Sequence, residues 1–236
     1  MSETTSTRVF QLLTEGGDER VCKDIPDSAC REEPRNFTTH VTALSASKIA
    51  DGLIDPKLVL SWLLATMGAP AAFIGLLVPI REAGALLPQI FIAASLRQLP
   101  KRKWAWAAGA FAQGLSALAM AVAAVTLTGA ALGFAIIAAL TTLALARSVC
   151  SVTYKDVLGK TVSKSRRGTA TGAASSVAAA AVLVFGAMLA APYLPRFGLV
   201  AFGLFAAGAL WIIGALIFST LEEAAGATEG GGNAFN

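Results

Sequence analysis

The chain has 236 residues, of which 55% are hydrophobic and only 14% charged, with a net charge of +4. Soluble domains carry about 25% charged residues. With uncharged runs long enough to span a bilayer, this composition points to an all-α integral membrane protein. The basic residues gather in short loops between apolar runs, so the positive balance does not imply a nucleic-acid partner.

Residues 1–36 read as a polar tail of mixed charge, with no apolar core ahead of a cleavage site, so no secretion signal is visible. VFQLL at 9–13 could form a turn of interfacial helix or pack on the end of a bundle. The spacing of Cys22, Cys30 and Cys150, with His40 the single histidine, does not supply four ligands at metal-site spacings. No metal is expected, and the tail cysteines are expected to be reduced thiols.

The stretch 37–103 sets the topology. The longest uncharged run, 58–80, would leave only 83–96 for a second helix, below the roughly 17 residues that a span requires. Breaking instead at Met67-Gly68-Ala69-Pro70 gives two spans, 37–65 and 71–96. That division puts Lys48, Asp51 and Asp55 in the first span and Arg81 and Glu82 near the middle of the second. Gln89 lies on the same side as these, two turns on. A charge at mid-bilayer costs roughly 2.5–3.5 kcal/mol on insertion scales, so such residues usually face water or a partner. Positions 48, 51 and 55 share one helical face. The alternative makes Asp55 an N-cap followed by proline. Lys48 and Asp51 would then lie outside the bilayer, and Arg81-Glu82 would be an exposed turn.

The loop RQLPKRK leads into a third span, 104–127, with Trp104 and Trp106 where an interfacial aromatic belt belongs. A turn at Thr128-Gly129 precedes a fourth span, 131–152, which contains Arg147. The loop TYKDVLGKTVSKSRR follows, then a fifth span, 168–191, rich in Ala, Gly and Ser. A turn at 192–197 and a sixth span, 198–221, complete the set. The end, EEAAGATEGGGNAFN at 222–236, reads as an acidic, Gly-rich linker. The spacing in GTATG at 168–172 suits close helix packing. By the positive-inside rule the basic loops and both termini are cytosolic, in a membrane expected to be the bacterial inner membrane. No Walker loop, nucleophile elbow or zinc-binding helix occurs, so no ATPase or hydrolase activity is expected.

GAPAAFIGLLVPIREAGALLPQ with its basic loop resembles the second helix and following loop of the major facilitator superfamily. KIADGL…PKLVLSWLL looks like that superfamily's first helix. LALARS at 143–148 resembles the start of its helix-four motif, which picks out Arg147, and RRGTATG resembles the beginning of its fifth helix. Departures are present. Laid on G-x-L-A-D-R-x-G-R-K, residues 93–102 keep only the basic end, with Arg97 in place of Asp. VLVFGAMLAAPY lacks the Gly-Pro signature of antiporters.

The resemblance covers roughly 36–236. It implies one half of that fold, six spans in two three-helix repeats, split or truncated. Such a half would need a second copy or a complementary six-helix half in order to move a small solute, driven by an ion gradient, with protons expected. Candidate coupling or substrate residues are Lys48, Asp51, Asp55, Arg81, Glu82, Gln89 and Arg147, with no cofactor. Arg147 could equally extend to the headgroups, and Lys48 with Asp51, and Arg81 with Glu82 or a carboxylate on the first span, could equally be static pairs that hold the bundle together. The competing classes are a non-transporting membrane scaffold and an inactive remnant.

Overall fold

The computed structural model describes residues 3–14, 25, 27–97 and 99–226. Arg20, Cys22, Lys23, Gln98, the side chain of Arg97 and the Gly-rich end from 227 onward lie outside the described residues. The protein is all-helical, without a strand among the described residues. Its elements are α1 (Glu3–Thr14), α2 (Asp27–Arg31), α3 (Glu33–Leu53), a π-helical turn (Pro56–Leu60), α4 (Ser61–Thr66) and α5 (Ala71–Arg97). They are followed by α6 (Lys103–Thr126), α7 (Gly129–Thr161), α8 (Lys164–Ala190) and α9 (Arg196–Ser219). Five helices, α5 to α9, are long and apolar enough to cross a membrane, the mark of an integral membrane protein. Exposed Phe91, Phe202 and Leu183 on their outer faces suit contact with lipid.

The helical hairpin breaks at the Gly-Pro turn. Gly68 adopts φ 73°, where a side chain would be strained. Pro70 cannot donate a backbone hydrogen bond, and α5 begins one residue later. The Gly129 N–H donates to Met67 O at 2.8 Å, so this turn and the start of α7 share one end of the bundle.

The first rod is not one continuous helix. α3 stops at Leu53, and Asp55 accepts from Lys57 N at 2.9 Å and Leu58 N at 3.0 Å, capping the restart at Pro56. The Leu60 N–H then reaches back five residues to Asp55 O at 3.2 Å, and Ser61 Oγ donates to Pro56 O at 2.6 Å. The shared face expected over 48–55 therefore ends before Asp55. The capping alternative was correct for the local backbone, while α3, the turn and α4 still run on end to end.

Two other expectations, the loop at 153–161 and the reduced tail thiols, are corrected, while VFQLL packs on the end of the bundle, one of its two readings. Residues 153–161, taken for loop, extend α7 to Thr161, because no proline interrupts them and Asp156 and Lys160 find partners at the bundle end. The tail is partly helical. Phe10 of α1 packs edge-on against Phe37 at 5.4 Å, under the Arg166 guanidinium at 4.5 Å, and α3 begins at Glu33. Cys30 is disulfide-bonded rather than a reduced thiol.

The packing order explains which helices can share a site. α3 lies between α8 and α9, α6 between α7 and α9, and α5 packs on α7. Exchanging α3 with α7, α5 with α8 and α6 with α9 maps every one of these neighbour pairs onto another or itself. The backbones of α6 and α9 come close, where a Cβ on Gly114 would sit 2.9 Å from Gly208 O, and one on Gly208 3.1 Å from Gly114 O. Interfaces in apolar surroundings gain from such small residues because backbones come close. By contrast, nothing lies within 4 Å of a Cβ placed on Gly168 or Gly172. These two glycines face open space, while Ala170 between them is fully buried in a cluster with Phe37, Leu158 and Val162, so the segment packs through its alanine and not through its glycines. Trp211 is fully buried and donates from Nε1 to Ser47 Oγ at 3.1 Å, pinning α9 to α3.

Candidate functional site: an ion-paired cluster midway along the helices

Asp51, Arg81 and Arg147 come together from three helices. Arg81 Nη2 donates to Asp51 Oδ1 at 2.9 Å, and Arg147 Nη1 donates to Asp51 Oδ2. One carboxylate thus spends both oxygens on two guanidiniums, the strongest kind of side-chain hydrogen bond. The side chains of Asp51 and Arg81 are 17% and 11% exposed, and that of Arg147 is 34% exposed.

Position along the rods places these groups: Asp51 is the nineteenth of the 34 residues from Glu33 to Thr66, Arg147 the nineteenth of the 33 in α7 and Arg81 the eleventh of the 27 in α5. Arg147 was expected near the end of a helix finishing at 152. The extension of α7 to Thr161 leaves it near the middle, where it pairs with Asp51 instead of extending to an end.

Local sequence makes the meeting possible. Gly84, one turn beyond Arg81, lets α5 close on α7: a Cβ there would meet the Ala144 methyl at 2.8 Å, one turn before Arg147. Pro79 removes a backbone donor two residues before Arg81, within the continuous α5. α3 and α7 touch at few points, so at this depth the ion triad is what ties them.

The other expected residues sort by geometry. Glu82 is exposed, without an ion pair among the described residues, and its charge acts on Arg147. Lys48, one turn from Asp51, is half-buried and also lacks an ion pair among the described residues. So Asp51 pairs with the two arginines, not with Lys48, and Arg81 pairs across to Asp51, not with its neighbour Glu82. Asp55 is occupied as a backbone cap, and Gln89 donates to Ala85 O at 2.7 Å within its own helix. Neither joins the cluster. Arg81 Nη1 is buried with no hydrogen-bond partner.

A second set of ion pairs closes the opposite end of the bundle. Glu223 is buried and accepts from Arg102 N at 3.1 Å, Lys103 N at 2.8 Å and Lys160 Nζ at 3.1 Å. It puts negative charge on the N-terminus of α6, where the helix dipole favours it. Glu33 accepts from Ser163 N at 2.9 Å and Arg166 Nη1 at 2.8 Å at the start of α8. Arg102 completes the set with Asp156 at 2.9 Å. Sequence reading treated these bases as topology markers and missed their acids. The available signal was the pair of acids flanking the first and last rods, each within reach of a basic loop. No protein-family model, curated protein or solved structure matches this chain.

Proposed function

We propose that the chain is a six-helix half of a major-facilitator-type secondary transporter, moving a small solute coupled to proton movement. In this reading α3 to α4 form the first span beside the five apolar helices. α3 to α6 and α7 to α9 are two three-helix repeats in inverted orientation, and the ends bearing Glu33 and Glu223 face the cytosol of a bacterial inner membrane. The observation that carries it is the Asp51–Arg81–Arg147 triad at mid-depth with unpaired Glu82 exposed beside it. A carboxylate at that depth is costly against lipid, and it suits a watery face closed by a second six-helix body, either another copy or a separate half. The self-mapping order of helix neighbours agrees with paired repeats.

The division of labour follows from the pairing. Asp51 has committed both oxygens, so Glu82 is the carboxyl free to exchange a proton. Neutralising Glu82 removes its pull on Arg147 and alters the hold of Arg147 on Asp51. The Asp51–Arg147 pair links the first helix of one repeat to the first helix of the other, so its strength bears on how those two helices are held at this depth.

The experiment is solute-evoked proton movement in proteoliposomes of the full chain with an entrapped pH dye. A proton signal with at least one solute, abolished by Glu82→Gln, is expected. Silence across a broad solute panel from cross-linked paired copies of the chain, or a signal untouched by both Glu82→Gln and Asp51→Asn, refutes transport by a paired half.

A further inference from the structure

The charges around the triad do not cancel. Lys48, Arg81 and Arg147 face Asp51 and Glu82, leaving one positive charge in excess, and adding Asp55 with Lys57 just beyond does not change that excess. Two cationic donors are unspent: Lys48 has no ion pair among the described residues, and Arg81 Nη1 has no hydrogen-bond partner. Lys48 lies one helical turn from Asp51 along α3, and Arg81 is bonded to that same Asp51 at 2.9 Å. Each Asp51 oxygen already accepts one guanidinium bond, and no bond from Lys48 to Asp51 is present among the described residues.

Excess positive charge in a low-dielectric setting is relieved by a counter-charge, and buried guanidinium N–H groups seek acceptors. We propose that the transported solute is a small organic monoanion of the carboxylate class, its acidic group held by the Lys48 ammonium and the unpartnered Nη1 of Arg81. This rests on the transporter reading and names its substrate class. A monoanion makes the loaded site neutral, whereas a cation would double the excess. A neutral solute would leave both donors without a charged acceptor.

The test is thermal unfolding of the full chain in lipid nanodiscs with sodium acetate, lactate or benzoate, against choline chloride and glucose at matched ionic strength. At least one carboxylate is expected to raise the unfolding temperature saturably. Lys48→Gln, which leaves the triad intact, is expected to weaken that carboxylate about tenfold, as loss of one charge-assisted hydrogen bond does, with Lys48→Arg restoring most of it. Failure of every carboxylate to stabilise saturably overturns the proposal. So does stabilisation equal in Lys48→Gln, or confined to choline or glucose. Lys48-dependent carboxylate binding without proton movement in liposomes would uphold the anion site and sink the transport reading. Proton movement evoked only by choline or glucose would do the reverse.

Discussion

Replacing Asp51 by Asn is the sharpest perturbation of the cluster, because one change strips two guanidiniums of their counter-charge. The Arg81 side chain is 11% exposed, so its loss falls in the range for breaking a buried pair, about 3–5 kcal/mol. Arg147, at 34% exposed, is partly solvated and adds about 1 kcal/mol. The expected destabilisation is therefore about 4–6 kcal/mol, read by tryptophan fluorescence as the detergent fraction of a mixed micelle is raised. Combining Asp51→Asn with Arg81→Met should recover part of that loss, with a coupling of about 1–3 kcal/mol in the double-mutant cycle. The triple change Asp51→Leu, Arg81→Met, Arg147→Leu should return within about 1 kcal/mol of the parent, since removing a whole buried ion cluster is often neutral. It should also abolish solute-evoked proton movement. If Asp51→Asn costs under about 1 kcal/mol, the two arginines are not held as described and the reasoning fails.

Further expectations follow from the same packing. Glu223→Gln should destabilise by about 2–4 kcal/mol in that assay, because Lys160, 5% exposed, loses its counter-charge. Gly114→Ala should cost about 1–3 kcal/mol through the α6–α9 contact. Gly172→Ala, with open space around it, should stay within about 0.5 kcal/mol of the parent, and a larger loss would put α8 against something inside the bundle. Asp55→Ala should cost about 1 kcal/mol as a lost cap and leave any proton signal intact, since Asp55 bonds only backbone here.

How far the sequence could be read depended on what kind of residue carried each feature. The break at 67–70 was legible because Gly68 and Pro70 act locally on the backbone. The mid-helix charges at 51, 81 and 147 were legible because they are out of place in apolar runs. Which charge meets which was legible only in part: a pair from Arg81 to a carboxylate on the first span was one of two readings, and α5 turns Arg81, not its neighbour Glu82, to Asp51. Asp55 misled because a regular helix was assumed through Pro56, and Gln89 because helical spacing does not show a bond to its own backbone. GTATG misled for a related reason. Small residues permit close packing, but only the fold decides which small residues meet, and here they are Gly114 and Gly208. The length of α7 was missed because a basic, polar segment reads as loop unless its ion-pair partners, Arg102 and Glu223, are known.

The account depends on water reaching the triad from the open side of α5, α3 and α7. Thiol labelling in membranes measures this most directly, with Glu82→Cys and Lys48→Cys set against Leu87→Cys in a chain whose native cysteines are replaced. Leu87 is exposed and lies about 140° around α5 from Glu82. Positions 82 and 48 should react with a charged, water-borne thiol reagent and position 87 should not. Equal silence at all three positions, or reaction at 87 alone, would contradict a wet cluster at mid-bilayer.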